Sequence, residues 1–394
     1  MRILVHLNSL ELGGTQINAV DFAAALRARG IESLLVGDRE SQRGGPSLLD
    51  IAAAKGVHVE PYEAAPGVFA HAKQLTRFAD DFGADLIHVY GSWGGGRPTF
   101  WGPARWGTRP WVLTVYEMQV SHKTHRHMPL IVGTGYLLDE QAARPGGVVL
   151  ISPPVDLVSD APDAVDGAAF RAQHGLGDGL LLVIVSRLVS SMKSLPIGVA
   201  IDAMRTLSDW GVTLAIVGSG DSEAAIALQA AEVNNEVGRD AVRLLGPLAD
   251  PRPAYASADV MLGMGGSAAR SLAFGKPLVV QGEAGFSALF EPGSAAVLAR
   301  SSYWSPDAVP DPVGMLLDSL APVLDDPQYR AELGAFGREF ATSRFGLEAM
   351  TDRLAEVYSQ ALRRRFVCKW IKDLPREGRR LAEKLGRFVG RSAP

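Results

Sequence analysis

Short β-branched runs alternate with amphipathic helical stretches along the first half of this chain, halt at Ser152-Pro153-Pro154-Val155-Asp156, and then begin again. Parallel neighbours need a crossover between them, and crossover helices cover both faces of the sheet, so this alternation dictates a doubly wound α/β unit. Strand candidates in the first half are Ile3–Leu7, Ser33–Val36, His58–Glu60, Leu86–Val89, Trp111–Val115 and Val148–Ile151. Helical stretches between them include Thr15–Arg29, Ser47–Lys55 and Val68–Phe82, and Val20, Ala23 and Ala24 recur at helical spacing. An Asp/Ala/Pro-rich linker runs to about Asp166. The second half then reads as strands at Leu181–Val185, Thr213–Val217, Val242–Leu245, Val260–Leu262 and Pro277–Val280, with helices at Ser194–Leu207, Ser222–Val233 and Ser267–Phe274. The expectation is two such units in tandem, residues 1–156 and 157–345, followed by C-terminal helices and a basic tail over 346–394.

A length of 394 residues exceeds one ordinary core and suits two domains of roughly 150–200 residues. A single cysteine, Cys368, excludes an intrachain disulfide and fits a reducing, cytoplasmic setting. No run of about 20 apolar residues is present to span a membrane. Charge is uneven. Residues 363–391 hold eleven Lys/Arg against three Asp/Glu, so the body carries −12 of a formal total of −4. An acidic body argues against nucleic acid as partner, and the tail points to a partner of its own.

In open α/β sheets, ligands bind beyond the carboxyl ends of the strands, and four such loops stand out. Gly13-Gly14 opens the first helix, where bare backbone and free amides suit an anion, although a plain tight turn needs the same residues. After Leu181–Val185, Arg187 and Lys193 flank a loop leading into a helix, two cations fitted to phosphate oxygens. Gly218-Ser219-Gly220 either clears space for a flat ligand part or forms a turn capped by Asp221 or Ser222. In Gly263-Met264-Gly265-Gly266-Ser267, glycines precede a serine read as the N-cap, presenting amides and a helix dipole to a diphosphate. The GK[ST] ending of a P-loop is lacking, and so is any GxGxxG, which disfavours ATP hydrolysis and dinucleotide chemistry.

In their order, Leu12-Gly13-Gly14, the Ser152–Asp156 hinge, Ser186-Arg187-Leu188 with Lys193, Val217-Gly218-Ser219-Gly220, Leu245-Gly246-Pro247, Tyr255 with Ala258-Asp259-Val260, and Ala273–Val280 resemble glycosyltransferase family 4. The resemblance spans most of the chain. It implies the GT-B fold, two Rossmann-like domains facing across a cleft, and retaining transfer from a nucleotide-diphosphate sugar to a hydroxyl acceptor without a metal or other cofactor. By that resemblance Arg187 and Lys193 hold the donor diphosphate with the Gly265, Gly266, Ser267 and Ala268 backbone. Leu245-Gly246 faces the base, and Gly13-Gly14 lies near the transferred sugar. No protein nucleophile is needed, because the donor phosphate assists the incoming hydroxyl.

The chain also departs from that pattern. The family's two glutamates in the fourth loop are missing, and Arg270 stands at the second position, as a candidate partner for phosphate. A guanidinium cannot accept from ribose hydroxyls as a carboxylate does. The histidine often found after an N-domain strand is replaced within Thr114-Val115-Tyr116-Glu117-Met118, leaving Tyr116 and Glu117 as acceptor candidates, while Glu283 is placed to touch sugar hydroxyls. The missing glutamates keep open a second reading, a nucleotide-sugar-binding partner or regulator without turnover.

The loop Ser121–His127 holds His122, His125 and His127 beside Lys123 and Arg126. It reads as an acceptor-facing cationic loop or a solvated one, since nothing nearby completes a zinc set. Tyr90 and Trp93 suit a sugar or acceptor wall, or simply a packed loop. In the tail, Phe366, Trp370, Ile371 and Leu374 share one helical face, and Leu381, Leu385 and Phe388 a later one, amid basic residues. Such a helix lies on an anionic membrane, making the protein peripheral at its inner face, or packs back on the N-domain. The sequence favours the membrane beyond Arg363. The acceptor, by extension, includes lipid-linked sugars among polysaccharide, glycolipid and natural-product substrates.

Overall fold

The computed structural model describes residues 1–39, 47–92, 94–363 and 367–390, with side chains through residue 380. Trp93 and Phe366 lie outside the described residues, as do the side chains of Leu381, Leu385 and Phe388. The chain divides into two compact units, Met1–Pro154 with Leu347–Pro394, and Val155–Gly346.

Unit 1 begins β1 (Arg2–Leu7), α1 (Gly14–Arg27), β2 (Glu32–Asp38), α2 (Leu48–Ala54), β3 (Val59–Tyr62), α3 (Val68–Phe82) and β4 (Leu86–Tyr90). It continues with α4 (Gly96–Trp101), β5 (Trp111–Val115), β6 (Leu130–Val132), α5 (Gly135–Glu140) and β7 (Val148–Leu150). Strand order is β3-β2-β1-β4-β5-β6-β7, with every pair parallel. β4 and β5 are buried at every residue, which is why they read as unbroken apolar runs rather than alternating ones. α1 turns Ala19, Val20, Phe22, Ala23 and Leu26 into the core. Buried Asp21 on that face is paired with Lys55 Nζ at 2.5 Å.

Unit 2 runs α6 (Gly167–His174), β8 (Leu181–Val185), α7 (Ser194–Leu207), β9 (Thr213–Val217), α8 (Glu223–Val237), β10 (Val242–Gly246), α9 (Arg252–Ser257) and β11 (Val260–Gly263). Next come α10 (Gly266–Ala273), β12 (Leu278–Gln281), β13 (Ser287–Leu289), α11 (Ala295–Arg300), α12 (Pro312–Asp325) and α13 (Pro327–Phe345). Its order is β10-β9-β8-β11-β12-β13, parallel except for the β12–β13 pair.

The last two helices, α14 (Leu347–Arg363) and α15 (Val367–Gly390), belong to unit 1 instead of forming a separate segment. α14 buries Met350, Leu354, Val357, Tyr358 and Ala361 in that unit's core. Its Tyr358 hydroxyl lies 2.6 Å from Nδ1 of His88 in the middle of β4, while His88 Nε2 lies 2.7 Å from Thr114 Oγ1. Burial lowers the His88 pKa to about 3, so the ring is neutral, with one nitrogen donating and the other accepting. No helix among the described residues is long and apolar enough to cross a membrane.

α15 corrects the expected outward face of the tail. Trp370 is buried, stacked on Phe100 at 4.8 Å, and donates its indole N–H to Phe100 O at 2.8 Å. Asp373 accepts from the backbone amides of Arg126 and His127, both at 3.0 Å, and lies 2.9 Å from His127 Nδ1. Glu377 accepts from Arg97, Trp101 and Arg380. A helix whose Asp373 and Glu377 are satisfied against the body packs on the body.

Candidate functional site

A doubly wound sheet opens where two neighbouring strands send their connections to opposite sides. In unit 2 that switch point lies between β8 and β11, and it brings the loop after β8 beside the turn after β11. Their register pairs Val260 with Leu182 and Leu262 with Ile184, so continuing it sets Gly265 level with Arg187. The β11–β12 register, with Gly263 against Val280, likewise sets Gly266 level with Glu283. The loops that carry Arg187, Gly265–Gly266 and Glu283 therefore leave the carboxyl ends of three adjacent strands of unit 2.

The loop carrying the two cations is built by its neighbour. Ser186 N–H donates to Val217 O and Leu188 N–H to Ser219 O, while Ser222 N–H donates to Leu188 O. Asp221 accepts from Ser190 N–H at 2.8 Å and from its hydroxyl at 3.2 Å, and Met192 is held at a φ of +65°. A Cβ on Gly218 would fall 1.8 Å from Ser186 O, and one on Gly220 2.1 Å from Leu188 O. These glycines do not clear space for a ligand, as the sequence suggested. They let two loop backbones touch, and Asp221, instead of serving only as a local cap, clamps the Arg187–Lys193 loop.

Within this loop Arg187 is exposed and Lys193 half-buried at the N-cap of α7. Among the described residues neither side chain has a hydrogen-bond or ion-pair partner. Burial, and then repulsion from Arg187, push the Lys193 pKa down to about 8. Two neighbouring cations without a carboxylate are a destabilising arrangement that an anion would relieve.

The turn after β11 supplies amides. α10 has its N-cap at Gly265, at φ +58°, so Ser267 is the second helical residue and not the cap. Its hydroxyl turns back to Met264 O at 3.3 Å. Gly265 N–H is already donated to Tyr303 O, which leaves the N–H groups of Gly266, Ser267 and Ala268 without an acceptor among the described residues. Nothing lies within 4 Å of where a Cβ on Gly265 or Gly266 would sit, so the turn faces open space. The carboxylate of half-buried Glu283 has no partner among the described residues, while its N–H donates to Ser305 O. Gly246, at φ +71°, ends β10 with open space around its Cα, and its carbonyl accepts from Gly218 N–H.

Arg270 does not meet the expectation of a phosphate partner. Its Nε donates to Asp160 Oδ2 at 2.9 Å, with the guanidinium 6.0 Å from the centre of the Tyr255 ring. Asp160 is buried just past the hinge, and burial raises its pKa against the pull of Arg270. An uncompensated buried carboxylate is costly, so this arginine is committed to it.

Unit 1 has its own switch point, between β1 and β4. Gly13 is the N-cap of α1, with the Gln16 side chain folded over it, and open space surrounds Gly14. Across from that turn, a Cβ on Gly91 would lie 2.0 Å from Asn8 Nδ2 and 3.0 Å from Glu117 Oε1. Glu117 Oε1 accepts from Ser92 N–H at 2.9 Å. Asn8 Oδ1, Ser92 Oγ and Glu117 Oε2 are buried with no hydrogen-bond partner among the described residues. Asn8 and Ser92 went unnoticed in the sequence, because single polar residues after strands are commonplace. The half-buried Tyr116 ring packs against Gly133 and lies edge-on to Tyr90, and burial pushes its phenol pKa up.

The histidine loop is dispersed. His122 is exposed, and its carbonyl accepts from Arg376 at 2.7 Å. His125 is 2% exposed, stacked 4.4 Å from Phe100, with Nε2 3.2 Å from Glu377 Oε1 but poorly aligned for a hydrogen bond. It anchors α15 and cannot meet an acceptor.

Residues 13–153 match the glycosyl transferase 4-like domain, and residues 179–319 match the glycosyl transferases group 1 domain. The two matches together identify the chain as a glycosyltransferase. No curated protein sequence is significantly similar to this glycosyltransferase. Solved structures are similar in fold over nearly the whole length. A glycosyltransferase of Rickettsia africae superposes with a TM-score of 0.72 at 13% identity, covering 92% of this chain and 98% of its own. HepE of Anabaena, solved with UDP-glucose, gives 0.70 at 18% identity, covering 91% and 100%. WaaG, a glycosyltransferase involved in lipopolysaccharide biosynthesis, gives 0.60 at 13% identity, covering 91% and 99%.

Proposed function

We propose that this glycosyltransferase moves a hexose from a nucleoside-diphosphate sugar to a hydroxyl acceptor with retention at the anomeric carbon, the diphosphate being held by unit 2. The observation that carries the proposal is the pair Arg187 and Lys193, cations without a partner among the described residues, on the loop after β8, whose neighbour β11 leads into the free amides of Gly266, Ser267 and Ala268. As the glycosidic bond breaks, negative charge develops on the departing diphosphate. Fixed cations and helix-end amides stabilise that charge without reorganising, usually the largest single contribution to such a transfer. This assignment calls for no metal ion. The likeness to a fold solved with UDP-glucose supports a nucleotide-sugar donor. Glu283 is assigned to sugar hydroxyls and Gly246 to the neighbourhood of the base. In unit 1, Asn8 Oδ1 and Glu117 Oε2 accept and the Ser92 hydroxyl can donate or accept, a set that suits a hydroxyl-rich acceptor such as a polysaccharide or glycolipid sugar.

The test is a panel of UDP-, GDP- and dTDP-sugars incubated with the purified protein, with free nucleoside diphosphate as the readout. Slow donor hydrolysis of one sugar, accelerated by an acceptor, is expected. Tight binding of a donor with no turnover under any acceptor would replace transfer by a binding role.

A further inference from the structure

α15 turns its described acids inward and leaves cations on its outer face. Asp373 and Glu377 face inward and are 3% and 5% exposed, whereas Lys372 and Arg379 face outward and are exposed. Val367 and Ile371 share that outward face at 49% and 50% exposure. Among the described side chains of α15, none facing outward is acidic.

Buried Trp370 joins this face to two further exposed aromatics. On one side Trp106 lies 4.5 Å from it, 53% exposed and held at a φ of +58°, a conformation that is rare for a bulky residue, with the Arg105 guanidinium over its ring. On the other, Trp101 links Trp370 to Phe69, which is 72% exposed on α3. The exposed stripe of α3 continues from Phe69 to Lys73 and Arg77 at four-residue spacing, before Asp81 near the helix end. Apolar tips ringed by cations fit the boundary between lipid headgroups and acyl chains, where aromatic rings settle and lysine and arginine meet phosphate. A nucleic acid would engage the cations and leave Val367 and Ile371 unused.

We propose that this face of unit 1 docks on a bilayer rich in anionic lipid, with Phe69, Trp106, Val367 and Ile371 entering the interface while Lys73, Arg77, Arg105, Lys372 and Arg379 contact headgroups. The docking residues thus differ from those that periodicity alone selects, since Trp370 holds the helix to the protein rather than to lipid. The surface is independent of the donor assignment in unit 2.

Full-length protein is sedimented with vesicles of phosphatidylcholine alone or mixed with phosphatidylserine. Binding to the mixed vesicles, released by salt, is expected. Lys372→Glu combined with Arg379→Glu removes two cations that have no ion-pair partner among the described residues. Partition should fall roughly 25-fold or more, at about fivefold per cation lost near an anionic leaflet. Ile371→Ser should lower it by a smaller factor, and both variants should keep the wild-type melting temperature. Equal sedimentation with both vesicle types, unchanged binding of the charge-reversed protein, or a shift of duplex RNA without vesicle binding would each overturn the proposal.

Discussion

Replacing Glu377 by Gln should loosen α15 from unit 1 without disturbing unit 2. The carboxylate is 4% exposed and accepts from Arg97 Nε and Nη2 at 2.8 and 2.6 Å, from Trp101 Nε1 at 2.9 Å and from Arg380 Nη1 at 2.7 Å. Burial by itself would raise its pKa, but His125, Arg97 and Trp101 together bring it well below the usual carboxylate range. Glutamine keeps the volume and one acceptor oxygen, but its amide nitrogen must face a donor, and two arginines lose their counter-charge. Removing one member of a buried pair costs about 3–5 kcal/mol. Arg97 is 39% exposed and can recover water, which places the expectation at the lower end, about 3 kcal/mol. The assay is native-state hydrogen exchange of the α15 amides, where that loss corresponds to a protection drop on the order of a hundredfold. Unchanged protection in α15, with the urea midpoint also unmoved, would refute the reasoning that this carboxylate fastens the helix.

Acid should weaken unit 1. His6 and His88 are buried, with pKa values of about 3 in the folded protein against an ordinary 6.5. Their neutral forms are favoured by the fold, so this stability is intact above pH ~6.5 and is lost as pH falls and the unfolded chain takes up protons. Between pH 7 and 5 the loss is about 2 kcal/mol per histidine, measurable as a shift of the urea midpoint, and a flat profile would contradict both burials. Gly218→Ala should destabilise unit 2 by about 3 kcal/mol or more in urea unfolding, since its Cβ would meet Ser186 O at 1.8 Å. Gly266→Ala, with open space around it, should leave stability within about 0.5 kcal/mol while weakening nucleoside-diphosphate binding. UDP affinity should fall as pH rises through about 8, where Lys193 loses its proton. Titrations across that range should show the fall in wild type and a flatter profile in Lys193→Arg.

Much of the fold is legible because parallel strands buried on both faces are written as contiguous apolar runs, as at Leu181–Val185 and Trp111–Val115. β6 and β13 escape that reading. Each is three residues long, too short to show a period, and β6 follows directly on Pro129. The cations of the donor site were visible as a pair, and what surrounds them was not. Gly218 and Gly220 look like room for a ligand, yet they make room for the backbone of another loop. Arg270 looks like a phosphate contact until Asp160, remote in sequence, takes it up. His125 and Trp370 are misread for the same reason. Their partners lie at opposite ends of the chain, and one-dimensional patterns carry no sign of long-range pairing.

Unit 2 is proposed to grip a diphosphate through Arg187 and Lys193. Calorimetric titration of UDP into wild type, Arg187→Ala and Lys193→Ala tests this grip, because neither side chain has a partner among the described residues whose loss would confuse the result. Each substitution should weaken binding by about 1.5–3 kcal/mol, the range of a hydrogen bond to a charged group, with melting temperatures unchanged. Affinity equal to wild type in both variants would contradict the account.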